Sequence, residues 1–302
     1  MPQRSCMSQC FTMLLRRHLR RSQMNQKELL QALEKIGMRP GRGLGQNFLT
    51  DRNLLESIVR IAAIKPGDRI LEAGPGFGAL TELMLQAGAK VWSIEFDHRL
   101  AEYLRQNLKH ENFTLIEDDA VRTNLMGLMG NEPFISVANL PYSISSIFVT
   151  RLLEMPNPPQ KMVFMLQKEM AMRLAATPGV KNYGSLSVRT QLLYDVKIAK
   201  TVPPEVFTPP PEVDSAIAVF ELKKELPDPE LARLLNGLVK VAFAQRRKQL
   251  GKVLGGNYGK DITANAFAAV GIPHEIRPEK LTVEQFVQLT RAMFADKLQK
   301  ND

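Results

Sequence analysis

Residues 69–81 read RILEAGPGFGALT, a short apolar run followed by a loop with three glycines and the start of a helical pattern. Gly74, Gly76 and Gly78 allow the backbone to turn sharply and to approach a ligand closely. In open α/β sheets, a loop at the carboxyl end of the first strand is where nucleotides bind. The third glycine comes two residues after the second, whereas the dinucleotide fingerprint has a spacing of three. The stretch therefore predicts a nucleotide-type ligand without identifying it.

Short apolar runs alternate with segments of helical spacing on both sides of this loop. This alternation predicts βαβ units and a parallel sheet covered by helices on both faces, which is an α/β, Rossmann-like class. Two later strand-like runs flank the proline-rich loop PPEVFTPPPEVD, and after about Pro227 the apolar spacing is helical only. We expect an α/β domain over residues 24–222 and a small helical domain over residues 223–302.

The charge of the chain is unevenly distributed. Its 302 residues carry a formal charge of +9, but the excess lies in residues 1–23, which contain five arginines and no acid, and in residues 221–302. A basic C-terminal part predicts a nucleic-acid partner held there. The basic tail over 1–23 is either a start-site artefact, with translation beginning at Met24, or an organellar transit peptide. No run has the length of a membrane span.

Cysteine and histidine usage narrows the remaining possibilities. The only cysteines, Cys6 and Cys10, lie in the tail, so the body has no disulfide, which is typical of a reducing compartment. The four histidines lack metal-ligand spacing, and we expect no metal site. We expect a cytoplasmic protein, or a mitochondrial one if the tail is a transit peptide.

Acidic residues follow the first three predicted strands. Glu95 ends the second strand, 21 residues after Gly74, where an acid can accept hydrogen bonds from both ribose hydroxyls. Asp119, after the third strand, either accepts a hydrogen bond from an adenine amino group or caps a loop. Glu72 disfavours a pyrophosphate and suits a cation such as the sulfonium of S-adenosylmethionine. These acids leave an NAD enzyme and a methyltransferase both open.

The fourth predicted strand ends in VANLPYS over residues 137–143. Because the carboxyl ends of parallel strands converge on one crevice, Asn139 is expected to face the ligand held by Gly74 and Glu95. Its amide oxygen offers an acceptor to an exocyclic amine, Pro141 fixes the backbone, and Tyr142 offers a face for stacking a base. A simple Asn-Pro turn is the alternative interpretation.

The chain closely resembles the KsgA (RsmA) family of small-subunit rRNA adenine dimethyltransferases from about Gly45 onward. The motifs that carry the resemblance are GQNFLTD, LEAGPGFGALT, IEFD, ANLPYSIS, MLQKEMAMRL, YGSLSV, FTPPPEVDSA and FAQRRKQL, in this order. Small departures include Asp118 in place of a usual glycine and Glu212 where a lysine is common.

The resemblance implies a class I methyltransferase that uses S-adenosylmethionine to dimethylate N6 of two adjacent adenosines near the 3′ end of small-subunit, 16S-type rRNA. It also implies a role in small-subunit biogenesis, with the ribosomal precursor as partner, and we expect a monomer. Residues 24–222 then form the methyltransferase domain and residues 223–302 an RNA-binding domain. The implied cofactor-binding residues are Gln46, Asn47, Leu49, Gly74, Gly76, Glu95, Asp119 and Asn139. The implied catalytic residues are Asn139, Leu140, Pro141, Tyr142 and Phe207.

Two sets of implied roles have plain structural alternatives. Phe207 is implied to close the base pocket opposite Tyr142, whereas core packing is the alternative for an isolated phenylalanine. Arg246, Arg247 and Lys248 are predicted to contact RNA phosphates, whereas a solvated helix face is the alternative for such a run.

Three rival functions remain at this point. An NAD-dependent oxidoreductase shares the glycine loop and Glu95, but leaves the residues 139–142 unexplained. A methyltransferase fold kept as a ribosome-assembly or transcription factor without catalysis is a second possibility. The third is the related resistance enzyme that acts on large-subunit rRNA, against which the RRKQL run argues.

Overall fold

The structure, a computed structural model, describes residue 24 and residues 26–38, 47–245 and 248–299. The predictions for the tail, for Gln46, and for Arg246 and Arg247 lie outside these residues. The described helices are α1 (Gln26–Lys35), α2 (Arg52–Ala62), α3 (Ala79–Gln86), α4 (His98–Asn107), α5 (Leu125–Met129), α6 (Ser145–Leu153), α7 (Lys168–Leu174), α8 (Ser185–Leu193), α9 (Pro229–Ala244), α10 (Leu250–Tyr258), α11 (Lys260–Val270), α12 (Val283–Met293) and α13 (Ala295–Leu298). The described strands are β1 (Phe48–Leu49), β2 (Arg69–Ala73), β3 (Lys90–Glu95), β4 (Phe113–Glu117), β5 (Ile135–Asn139), β6 (Lys161–Gln167), β7 (Tyr194–Val202), β8 (Phe207–Thr208) and β9 (Ser215–Leu222).

Seven of the described strands form the central sheet, in the order β4-β3-β2-β5-β6-β9-β7. β2 pairs in parallel with β3 on one side and with β5 on the other, so the strand order reverses at β2. Ligands of open α/β sheets bind in the crevice at the carboxyl ends of the strands where this reversal occurs. The order confirms the predicted Rossmann-like sheet and places the site beyond the ends of β2 and β5.

The last strands differ from the prediction of an all-parallel sheet. β9 runs antiparallel to both of its neighbours, β6 and β7. Parallel neighbours need a long crossover, usually a helix, whereas antiparallel strands can be joined by a short connection. The segment between β7 and β9 contains only a short 3-10 turn, Pro204–Val206, and β8. The chain therefore turns back along the sheet and returns antiparallel.

Helix α2 illustrates how apolar spacing decides which face of an element is buried. Leu54, Leu55 and Ile58 recur on one side and are buried against the sheet. Asp51 caps the helix, because its carboxylate accepts a hydrogen bond from the backbone nitrogen of Leu54 over 2.8 Å. Helix α2 thus covers one face of the sheet, as the sequence pattern predicts.

The C-terminal helices share an apolar core with the segment before the sheet's last strands. Tyr183, Val188 and Leu192 are buried in the same cluster as residues of α9–α12. The hydroxyl of Tyr183 also donates to the backbone carbonyl oxygen of Leu281 over 2.9 Å. The helical part therefore packs on residues that precede position 223, and the domain boundary proposed there stays a prediction. Among the described residues, no helix combines the length and the apolar character that crossing a membrane requires.

Candidate cofactor and base-binding site

Two adjoining concavities open at the carboxyl ends of β2, β3 and β5. They share Gly74, Glu95 and Pro141, and the second of them also contains Asp119. The first is lined by the predicted site residues Asn47, Leu49, Gly74, Gly76, Glu95, Asn139, Leu140, Pro141 and Tyr142, besides others. The fold thus brings together residues from five separate segments of the chain, as the convergence of parallel strands predicts.

The glycine loop lies directly against the walls of the first concavity. Gly74 and Gly76 have φ angles of +68° and +59°, a region that L side chains rarely adopt. A Cβ atom at Gly74 would lie 3.1 Å from the ring of Pro141, and one at Gly76 would lie 3.2 Å from the ring of Phe48. Any side chain here would therefore strain the backbone and press into the cavity wall.

Glu95 stands at the end of β3 with its carboxylate fixed by backbone donors. Its two oxygens accept hydrogen bonds from the backbone nitrogens of Asp97, over 2.9 Å, and Gly76, over 3.2 Å. The side chain is 4 % exposed, and burial raises the pKa of Glu95 to about 7 despite these two donors. The arrangement suits a carboxylate that receives hydroxyl donors from a ribose, which would favour its ionised form.

Asp119 lines the second concavity on the loop after β4. One carboxylate oxygen accepts a hydrogen bond from the backbone nitrogen of Val121 over 2.9 Å, and the other lies 3.6 Å from Nε of Arg122. The side chain therefore caps its own loop and also borders the concavity. The capping interpretation describes its hydrogen bond in the structure, and its contact with an adenine stays a prediction.

Glu72 borders the first concavity although little of its side chain is exposed. It is 1 % exposed, and one carboxylate oxygen accepts hydrogen bonds from the hydroxyls of Thr81, over 2.6 Å, and Ser93, over 2.7 Å. Burial raises the pKa of Glu72 to about 7, so its negative charge is incomplete near neutrality. Its hydrogen bonds join β2, β3 and α3 at the wall of the first concavity, and its contact with a cationic ligand stays a prediction.

Asn139, the last residue of β5, is oriented by a residue far away in the chain. Its Nδ2 donates to the backbone carbonyl oxygen of Asn47 over 3.1 Å. This bond fixes the orientation of the amide, and Oδ1, its only acceptor atom, receives no hydrogen bond from the described residues. The carbonyls of Pro141 and Tyr142 accept from the backbone of Ile144 and the hydroxyl of Ser145, respectively.

Tyr142 lies at the mouth of the first concavity with its ring half-buried. Its hydroxyl lies 2.6 Å from Oγ of Ser215, the first residue of β9, so both ends of the ring are fixed. Burial raises the pKa of Tyr142 above its ordinary value, although the Ser215 hydroxyl opposes this effect. The phenol is therefore neutral at physiological pH and presents an aromatic face.

Phe207 occupies a different environment from the one that the resemblance implies. It lies in β8, pairs with Leu49 of β1, and is 2 % exposed within the apolar core beneath the site. Neither concavity has Phe207 among its walls. This placement matches the packing alternative, and contact of this ring with a base stays a prediction.

The N-terminal helix contributes a wall that the sequence did not assign to the site. Met24 and Leu29 border the first concavity, and Leu29 packs in one apolar cluster with Phe77 and Leu100. The ring of Phe77 contacts that of Tyr103 edge-on, with centroids 4.8 Å apart. The amphipathic spacing of α1 could have indicated that it packs on something, but not that it covers this cavity.

The predicted RNA-contacting run is described only at Lys248. This lysine is exposed and borders a shallow polar groove with Gln249, Lys252 and Asn257, at the start of α10. A phosphate contact by the run stays a prediction.

Comparisons with known proteins agree with this geometry. Residues 40–294 match the family model described as ribosomal RNA adenine dimethylase. The chain is 41 % identical over 273 residues to Ribosomal RNA small subunit methyltransferase A of Ligilactobacillus salivarius, covering 86 % of this chain and 92 % of that protein.

Two solved structures share the fold of this chain, and their levels of sequence identity to it are similar to each other. A dimethyladenosine transferase from Plasmodium falciparum is 26 % identical with a TM-score of 0.66, covering 84 % of this chain and 98 % of that one. The 23S rRNA methyltransferase ErmE is 27 % identical with a TM-score of 0.65, covering 82 % of this chain and 99 % of that one. These likenesses confirm the class I methyltransferase fold with its helical C-terminal part. With the family model matched over most of its length, this chain belongs to the ribosomal RNA adenine dimethylase family.

Proposed function

We propose that this protein dimethylates N6 of two adjacent adenosines near the 3′ end of small-subunit rRNA. The S-adenosylmethionine-dependent dimethylation of rRNA adenine is the activity of its family. The single observation that supports the catalytic assignment is the hydrogen bond from Asn139 to the carbonyl of Asn47, which leaves the amide oxygen as an acceptor at the cavity wall.

The chemical problem is that the N6 lone pair of adenine is delocalised into the ring and is a poor nucleophile. Oδ1 of Asn139 would accept a hydrogen bond from N6–H, and the carbonyl of Leu140 would accept a second. The Leu140 carbonyl accepts no hydrogen bond from other described residues, whereas those of Pro141 and Tyr142 do. Two acceptors favour a pyramidal nitrogen whose lone pair is aimed at the reacting carbon.

These acceptors act more strongly as the reaction proceeds. S-adenosylmethionine, when bound, supplies a methyl group on a positively charged sulfur. Because positive charge develops on N6 during transfer, Asn139 and Leu140 would bind the transition state more tightly than the ground state. No base is required to remove a proton beforehand, because the methylated nitrogen is cationic and acidic and loses its proton to solvent after the transfer.

Tyr142 would hold the adenine after it leaves its stack in the RNA. Enzymes that modify a base need it extruded and commonly grip it between apolar or aromatic groups. The ring of Tyr142 is fixed through Ser215, so it offers a rigid face for stacking. We propose that the ring of Phe207 contacts the other face of the adenine. Because Phe207 is buried in β8, its ring would first have to become accessible.

The choice of the small subunit rests on the relative strength of the resemblances. The chain is 41 % identical to a protein named for the small subunit and 27 % identical to a 23S rRNA methyltransferase. We further propose that the protein acts as a monomer on a small-subunit precursor in the cytoplasm, with the basic C-terminal part holding the RNA.

The test is a direct assay of the methylated product. The protein is incubated with labelled S-adenosylmethionine and undermodified small subunits, with large subunits in a parallel reaction, and the nucleosides are identified by mass spectrometry. We expect N6,N6-dimethyladenosine in the small subunit only. Label confined to the large subunit would refute the substrate assignment.

A further inference from the structure

The loop that carries Asp119 is fastened by its neighbour Asp118. One oxygen of the Asp118 carboxylate accepts a hydrogen bond from the backbone nitrogen of Asp119 over 2.8 Å, and the other accepts from the hydroxyl of Thr123 over 2.6 Å. The Thr123 hydroxyl, followed by the Asp119 backbone, lowers the pKa of Asp118, so the carboxylate is ionised at neutral pH. The charge-assisted hydrogen bond from Thr123 to Asp118 therefore links the two ends of the loop over residues 118–123.

A second fastening comes from the helix that follows the catalytic motif. Arg151 of α6 donates to the backbone carbonyl oxygens of Ala120, over 3.2 Å, and Thr123, over 2.7 Å. These carbonyls belong to the loop over residues 118–123, and Ala120 borders the second concavity. The guanidinium therefore joins the loop of Asp119 to the element that begins just after Tyr142.

The loop is also tied to the acid expected to bind the ribose. The backbone nitrogen of Asp118 donates to the backbone carbonyl oxygen of Glu95 over 3.0 Å. The position of Asp119 is consequently set by bonds to two separate elements, α6 and β3, and by the bond of Asp118 to Thr123 within the loop. The hydrogen bond to Val121 and the long contact to Arg122 also lie within the loop.

We propose that Asp118, Thr123 and Arg151 are positioning residues that hold the carboxylate of Asp119 at the distance where the pocket prefers a 6-aminopurine over a 6-oxopurine. This inference rests on the assignment of Asp119 to the adenine of the cofactor made above. A carboxylate accepts a hydrogen bond from an amino group and repels a carbonyl oxygen, so its exact placement decides the preference. A loosened loop would let the carboxylate move away and would lower the preference without removing the site.

The experiment measures binding rather than turnover. Affinities for S-adenosylhomocysteine and for its deaminated analogue S-inosylhomocysteine are determined by calorimetry, and their ratio gives the preference. Thr123→Val removes the hydroxyl while keeping the shape, and Arg151→Met removes both donors to the loop. The conservative variants Thr123→Ser and Arg151→Lys restore a hydroxyl and a cation, respectively.

Matched controls separate this effect from a general loss of stability. The controls Arg60→Met and Asp195→Ala remove exposed charges away from the loop. Asp118→Ala is a third test variant, which removes the carboxylate that binds Thr123. We expect Asp118→Ala, Thr123→Val and Arg151→Met to lower the preference about fivefold or more, the value of one hydrogen bond. Thr123→Ser and the two control variants should keep the wild-type ratio.

Asp119→Ala distinguishes failure of this proposal from failure of the underlying assignment. If Asp119→Ala abolishes the preference while the three fastening variants retain it, the positioning role is wrong and the role of Asp119 stands. If Asp119→Ala itself leaves the preference unchanged, the adenine assignment is wrong, and the positioning proposal is overturned with it.

Discussion

The side-chain nitrogen of Asn139 lies 3.1 Å from the backbone carbonyl oxygen of Asn47, although the two residues are 92 positions apart in the chain. This bond joins the end of a central strand to the segment that leads into β1. It decides which face of the amide is available, because a carbonyl partner must meet the NH2 group and not the oxygen. The orientation of this amide is therefore a property of the tertiary structure.

We expect Asn139→Ala to abolish methyl transfer while binding of S-adenosylhomocysteine survives. Removal of one preorganised hydrogen-bonding group at a site of developing charge lowers kcat by about 10²–10³-fold. Label transfer to undermodified small subunits measures the rate, and calorimetry measures binding. Asn107→Ala, at an exposed asparagine of α4, serves as the control, and full activity in Asn139→Ala would contradict the assigned role.

Tyr142→Ala should mainly weaken engagement of the RNA. Stacking of a base on an aromatic ring contributes about 1–3 kcal/mol, so KM for the small subunit should rise roughly tenfold or more. Tyr142→Phe keeps the ring and loses only the contact with Ser215, and its KM should stay close to that of the wild type. An unchanged rate for Tyr142→Ala at limiting RNA would argue against stacking.

Cofactor affinity should depend on pH through Glu95. Burial raises the pKa of Glu95 to about 7, so its carboxylate is ionised at pH 8 and protonated at pH 6. Since the ionised form is the better acceptor for ribose hydroxyls, affinity should fall as pH is lowered, by roughly tenfold between pH 8 and pH 6.

Calorimetry with S-adenosylhomocysteine across this range checks the prediction, and Glu95→Gln should remove the pH dependence. The exposed Glu111 provides a matched control, Glu111→Gln. Glu72 has a similar pKa of about 7. If the pH dependence persists in Glu95→Gln and disappears in Glu72→Gln, the titrating group is Glu72 and the prediction for Glu95 is wrong.

Neutralising Arg246, Arg247 and Lys248 together should reduce the salt dependence of RNA binding. Each phosphate contact contributes about 0.9 to the slope of log affinity against log salt concentration on duplex nucleic acid. Loss of all three should therefore reduce the slope by roughly 2 to 3. A triple variant at Arg60, Lys65 and Lys90, away from the C-terminal part, is the control. Equal slopes for both triple variants would exclude the phosphate role.

Local patterns were sufficient to predict the sheet, the glycine loop and the convergence of Gly74, Glu95 and Asn139. These features depend on strand periodicity and on glycine's access to positive φ angles, which are encoded over a few neighbouring residues. The antiparallel return of β9 was missed because a strand's direction depends on the length and content of its connection and not on its own residues.

Two residues and one helix show what local patterns cannot specify. Glu72 is the penultimate residue of β2 beside the glycine loop, yet its carboxylate accepts hydrogen bonds from two hydroxyls of other elements. Phe207 belongs to a motif of the family, yet its ring is buried in the core. Helix α1 borders the first concavity through Leu29, although its own spacing shows only that it is amphipathic. In each case the partners belong to other elements of the fold.

The sequence by itself determined the family, the order of strands and helices, and the residue types that the chemistry requires. Only the tertiary structure decided which atom of Asn139 faces the cavity, which carboxylates are enclosed by the protein, and how the loop of Asp119 is held. The physical reason is that hydrogen bonds and burial act between neighbours in space, and these neighbours include residues as far as 92 positions away along the chain.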